Sequence, residues 1–208
     1  MKIALGFGLV AMLASATLAH SGDAVAVKVP AKGSVTREEG LAAWSRVYTV
    51  VSHPRCSNCH VGKDNIPRWS GLGYGPNRVH GMNIHADESR IGGEALLCST
   101  CHVTSNAPNV LPHAPPHVGL PWHLAPVEFE WFGKSSPEIC AQVREPARNG
   151  GRSAKGLSEH LAGDPNHGGF IQWAWNPGGG REPTPGTLQG AVNDVLAWGA
   201  AGMPCPGR

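Results

Sequence analysis

The chain has 208 residues and a formal net charge of +2, with 15% charged residues. So near-neutral a balance gives no electrostatic reason to expect nucleic acid or an anionic membrane surface as partner. With 28 Gly and 18 Pro against 4 Phe and 2 Tyr, the composition argues against a large core built from side chains alone and for a loop-rich chain with another source of buried apolar surface.

Residues 1–19 read as a secretory leader: Lys2, then the apolar "IALGFGLVAML", then small residues at 14–16 and 17–19. Cleavage after Ala19 is expected, with Ala16 the alternative. The mature protein is then exported and periplasmic, and no later apolar run is long enough to span a membrane. Residues 20–35 are small, polar and unpatterned, a flexible lead into a domain over 36–208.

That domain opens with a helix. "TREE" is a capping box with Thr36 as N-cap and Glu39 at N3, and Leu41, Trp44, Val47, Tyr48 and Val51 follow at helical spacing until Pro54. Loops fill 62–97 and 104–126, and "VEFEW" (127–131) alternates like a short strand. Three helices are expected after it. "SPEICAQVRE" has Ser136 as N-cap and Pro137 at N1, "SAKGLSEHLAG" runs from Ser153 to Gly163, and "TLQGAVNDVLAWGAAG" puts Leu188, Ala191, Val192, Val195 and Leu196 on one face. The expected fold is mainly α and loop-rich, with little sheet, and its last part, 136–208, is helical.

The chemistry lies in a repeated motif. "CSNCH" at 56–60 recurs as "CSTCH" at 98–102. Cys-x-x-Cys-His is the attachment site of c-type haem. Two thiols add across the two porphyrin vinyl groups, and the two-residue spacer lets both sulfurs reach one ring edge. The next residue then offers an imidazole to the iron. Cys56, Cys59, Cys98 and Cys101 are therefore expected to bind two haems covalently, with His60 and His102 as proximal ligands. A Cys₄ zinc site would not explain a histidine after each pair, and a thioredoxin-like site needs one pair in a βαβ unit. Two large flat rings would also supply the missing core, with cytochrome c-like helices wrapped around two haems, the first haem segment over about 36–90 and the second over about 91–135. Cys140 and Cys205 are left over; an oxidising compartment favours a disulfide between them, with two free buried thiols as the alternative.

The sixth iron ligands divide the function classes. Electron carriers hold iron with six ligands, whereas enzymes and gas binders leave a position open. His80 or Met82 in "HGMN" is placed by position to serve the first haem. His123 in "WHLAP" and His160, on a helix face with Leu157 and Leu161, are further candidates. Met203 is a weaker one, and His53, His113, His117 and His167 read as solvated or supporting. "WAWNPGGGR" (173–181) reads as a loop against a haem edge, with Arg181 near a propionate, or as a tight turn with two core tryptophans.

Taken in order, "PRCSNCH", "HGMN", "CSTCH", "WHLAP", "SPEIC", "NGGR", "WNPGGGR" and "GMPCP" resemble small bacterial periplasmic dihaem c-type cytochromes over residues 54–206. Some members of that family are labelled a subunit of isoquinoline 1-oxidoreductase, a molybdenum hydroxylase. The resemblance implies a carrier of single electrons rather than an enzyme, between redox partners such as an exported dehydrogenase or hydroxylase and a respiratory acceptor. It also marks His80, Met82, His123 and His160 as ligands and Cys140 and Cys205 as a pair. "IHADESRIGGEA" departs from the family pattern. A peroxidase-like enzyme with one five-coordinate haem is the alternative.

Overall fold

The computed structural model describes residues 24–71, 73–93, 95–164 and 169–207. The expected leader and His167 lie outside the described residues. The described chain is mainly helical with little sheet.

Helix α1 (Arg37–Val51) starts where the capping box puts it: the Thr36 hydroxyl accepts from the Glu39 N–H, and the Glu39 carboxylate accepts from the Thr36 N–H. Ala43, Trp44 and Val47 are buried on one face. The helix ends at a Ser52 cap, and Pro54 then opens the short helix α2 (Pro54–Ser57), because its fixed φ suits a first turn. Helix α3 (Ser136–Arg144) begins a residue earlier than the expected Ser136 cap. Glu138 sits three residues beyond Ser135 and accepts from its N–H at 2.8 Å, which makes Ser135 the N-cap. Pro146 both limits α3 and opens α4 (Pro146–Asn149), which a left-handed Gly150 (φ 69°) closes. Helices α5 (Ala154–Gly163, capped by Ser153) and α7 (Leu188–Ala200, capped by Thr187) fall as expected.

Two segments differ from the expectation. "VEFEW" is not a strand: the Phe129 N–H turns back to the Pro126 carbonyl. Among the described residues the one sheet is an antiparallel pair, Gly92–Gly93 (β1) with Leu96–Leu97 (β2). The "WAW" stretch belongs to a helix, α6 (Phe170–Trp175), and the loop begins only at Asn176.

The main core joins α1, α3 and α7. Trp44 and Trp198 pack with ring centres 5.0 Å apart, among Ala43, Val47, Ile139, Val143 and Val195. A disulfide between Cys140 and Cys205 lies in this core, with Cα atoms 5.7 Å apart, and ties α3 to the tail beyond α7. Gly199 lets α5 and α7 touch: a Cβ there would stand 2.2 Å from the Ala154 Cβ. The other side of α7 (Leu188, Val192, Leu196) packs with Val25 and Val27. The Gln189 amide there accepts from the Ala26 N–H and donates to the Ala26 carbonyl. The end of the lead is thus docked on α7, because one side-chain amide can satisfy both groups of a peptide unit. No helix among the described residues is long and apolar enough to cross a membrane.

Candidate functional site

Both Cys-x-x-Cys-His motifs fold the same way. In each, the N–H groups of the second cysteine and of the histidine both return to the carbonyl of the first cysteine: 3.2 and 3.2 Å in the first motif, 3.2 and 2.9 Å in the second. One tight turn thus brings both sulfurs and the imidazole together. The first motif continues α2; the second is a single 3₁₀ turn, Cys98–Thr100.

Each motif histidine is then fixed by two further contacts. His60 Nδ1 lies 3.0 Å from the Phe129 carbonyl oxygen, and its ring stacks on Trp131 at 3.5 Å and 2°. His102 Nδ1 lies 2.7 Å from the Pro116 carbonyl oxygen, and its ring stacks on Trp122 at 4.4 Å and 17°. A carbonyl can only accept, so Nδ1 carries the proton and Nε2 keeps its lone pair. Metal-ligating histidines are commonly oriented in this way. Burial pushes the pKa of His60 down to about 3 and that of His102 down to about 4. Both rings are therefore neutral at pH 7, the form that can bind a metal.

Cys56, Cys59 and Cys98 are not poised as redox nucleophiles. Burial pushes the Cys56 thiol up to about 12 and the Cys59 thiol up to about 11, and raises Cys98 as well. A reactive thiol needs the opposite shift. Cys98 lies close enough to Cys59 to add to that rise, which brings the two motifs near each other. Among the described residues no three or more His, Cys, Asp or Glu side chains converge as a metal site. A porphyrin supplies four of the iron's ligands itself, so a haem needs only one or two from the protein.

Two buried indole N–H groups and two arginines lie around the motifs. Trp131 Nε1, beside His60, and Trp173 Nε1 are buried without an acceptor in the chain. An unmet buried donor costs about 1–3 kcal/mol. Trp173 packs edge-on to Trp122, 5.4 Å away, and so backs the second motif from α6. Arg55 lies 5.6 Å over the Trp173 ring and near enough to Arg181 for each charge to oppose the other. Burial, then Arg181, lowers the Arg55 pKa, as expected of two cations held close together. Arg181 is placed by hydrogen bonds to the Ala114 and Gly178 carbonyls. Gly178 permits that loop: its φ is +63°, and a Cβ would stand 2.1 Å from the Asn109 carbonyl oxygen. Among the described residues, the exposed large hydrophobic residues other than Val29 fall between Trp69 and Leu111 in sequence.

The distal candidates separate. His80 is half-buried, and its ring centre stands 5.9 Å from that of His102. Position along the chain paired "HGMN" with the first motif; the ring contact pairs it with the second. Met82 is 81% exposed in a left-handed conformation (φ 61°). His123 is exposed, while its neighbours Trp122 and Leu124 are buried, because successive side chains of an extended segment face opposite ways. His160 is exposed on α5, within electrostatic reach of His60, whereas Leu157 and Leu161 pack on the core. Met203 is half-buried against the main core.

Arg90 is a residue that motif reading missed, and it lies in the stretch that departs from the family pattern. Its guanidinium donates to the carbonyls of Val61 (2.9 Å), Gly62 (3.0 Å) and Ala125 (2.9 Å) and to Asn65 Oδ1 (2.7 Å). It thus clamps the chain leaving the first motif to the chain entering 126–132. That second stretch in turn donates from the Trp131 and Phe132 N–H groups to the His60 carbonyl. Replacing Arg90 with Met should cost about 3 kcal/mol, since hydrogen bonds to charged groups are worth about 1.5–3 kcal/mol each and buried carbonyls are left unmet. Arg90→Lys should recover little of this, because an ammonium lacks the fork. Denaturant unfolding of both variants checks it.

Compared with protein-family models, with curated proteins and with solved structures, the chain matches none.

Proposed function

We propose that this protein is a periplasmic dihaem c-type cytochrome that carries single electrons between an exported dehydrogenase or hydroxylase and a respiratory acceptor. One observation carries the reading. Two separate Cys-x-x-Cys-His turns have one hydrogen-bond pattern, and each holds a neutral imidazole by its Nδ1 against a backbone carbonyl, with its plane on a tryptophan. Cys56 and Cys59 with His60 would hold one haem, and Cys98 and Cys101 with His102 the other. The haem, when bound, supplies an iron that changes charge by one electron.

The polypeptide's part is to bind, orient and shield. Carbonyl-held Nδ1 atoms fix the ring planes, and the indole stacks limit their rotation. Trp122 covers the His102 ring and Trp173 backs Trp122, while Arg55 and Arg181 would offer positive charge to propionates. The nearness of Cys59 and Cys98 would favour electron transfer between the two groups.

The optical spectrum of the haem-loaded protein, oxidised and reduced, with and without carbon monoxide, tests this. Two low-spin haems that do not respond to the gas are expected. A high-spin haem with rapid gas binding and peroxide turnover would overturn the carrier reading in favour of a peroxidase-like enzyme.

A further inference from the structure

The segment after the first motif is built to reach the second. Asn58, the residue inside "CSNCH" just before Cys59, is its anchor. The Asn58 amide donates to the Ser70 carbonyl (2.9 Å) and accepts from the Ser70 N–H (3.3 Å), while the Asn58 carbonyl accepts from the Arg68 N–H (2.9 Å). Residues 67–70 in turn pair with 78–80: Trp69 N–H to the Arg78 carbonyl (2.7 Å), His80 N–H to the Pro67 carbonyl (3.0 Å), and Arg78 N–H to Ser70 Oγ (3.1 Å). Gly81 packs under Trp69, where a Cβ would come within 2.8 Å of the ring. The result is a braced hairpin that turns between Gly71 and Gly75 and has His80 at its base, opposite Pro67.

That base carries an imidazole prepared as a ligand. His80 Nδ1 lies 2.8 Å from the Gly81 carbonyl oxygen, so the proton is on Nδ1 and Nε2 keeps its lone pair, as in His60 and His102. Its ring centre is 5.9 Å from that of His102, at an interplanar angle of 51°. Two imidazoles on opposite sides of one metal ion, each about 2 Å from nitrogen to metal, have ring centres about 6 Å apart. Axial ligation leaves the dihedral between the two planes open, so 51° is compatible. The nearby thioether fits less well: Met82 is exposed, in a conformation that turns it from the half-buried His80.

We infer that His80 is the sixth ligand of the second haem, delivered by a loop that the first motif anchors, so that the two haem sites are crossed. This rests on the dihaem reading above. The crossing has a physical consequence: Asn58 becomes a positioning residue for an iron that its own motif does not hold.

The test uses the full chain matured in a haem-ligating host. Intact mass of the parent must first show two added haems; a bare mass would remove the dihaem reading itself, separately from the ligand assignment. His80→Ala should then convert one haem of two to high spin by electron paramagnetic resonance, and added imidazole should return it to low spin. Met82→Ala should leave both haems low spin. To identify the haem, His80→Ala is combined with Cys98→Ala and Cys101→Ala, which leaves only the first haem. That haem should have the same spin state with His80 as without it. A change of its spin state on His80→Ala, or two low-spin haems in the His80→Ala single variant, would overturn the assignment. Asn58→Ala should retain two haems by mass yet show a partly high-spin second haem, a change that imidazole reverses; unchanged low-spin signals would remove Asn58 from the positioning role.

Discussion

Replacing Cys98 and Cys101 with alanine should yield a protein with one covalent haem fewer than the parent and half its haem absorbance per chain. The first site should survive, because its contacts come from elsewhere. His60 is held by Phe129 and Trp131, and the chain on both sides by Arg90. Alanine at all four motif cysteines should give the bare polypeptide mass and a poorly folded protein. The side-chain core lies in α1, α3 and α7 with its extension toward α6, while the stretch around the second motif exposes Leu97, Val103, Val110 and Leu111. These side chains are apolar surface that a haem at the second motif would cover on the proposed reading. Intact-mass spectrometry and circular dichroism of the three proteins measure both effects. Retention of two haems by the Cys98→Ala, Cys101→Ala variant would sink the assignment of the motif.

Replacing Cys140 and Cys205 together with alanine should cost about 4 kcal/mol, the chain-entropy value for a bridge that spans the 65-residue separation found here. Both residues are buried, and the bridge ties α3 to the tail on the far side of α7. The tail has other moorings: Trp198 Nε1 donates to the Pro204 carbonyl (2.9 Å), and the Met203 N–H donates to the Trp198 carbonyl (2.9 Å). The fold should therefore form without the bridge but unfold at lower denaturant, with tryptophan fluorescence reporting the main core through Trp44 and Trp198. A loss below about 1 kcal/mol, far under the chain-entropy value, would show that these bonds, and not the closed loop, hold the tail.

Much of the helical frame was legible because its signals are local. A capping box, a proline at a first turn and apolar residues three and four apart each act within a few residues, and α1, α5 and α7 obey them. Where two serines compete, the carboxylate three residues on decides, which is why Ser135 and not Ser136 caps α3. The short helix α6 has no side-chain cap; its entrance is the left-handed Gly169, and its Ile171 and Trp175 are held by packing. "VEFEW" alternates as a strand does, yet no partner strand reaches it, and its backbone closes a turn over His60 instead.

The two motifs and their chemistry are covalent spacing, so the sequence alone determined them: five residues in one turn can present two sulfurs and an imidazole without help from the rest of the chain. It favoured a bond between the two remaining cysteines but left two free thiols open, and the structure joins Cys140 to Cys205. Only the tertiary structure decided what surrounds each imidazole. The carbonyls of Phe129 and Pro116, the faces of Trp131 and Trp122, the clamp of Arg90 and the approach of His80 to His102 join residues from 14 to 71 positions apart. No local rule sets such distances; they depend on where loops without periodic pattern come to rest, and that is fixed by which backbone groups must be satisfied once the helices have packed.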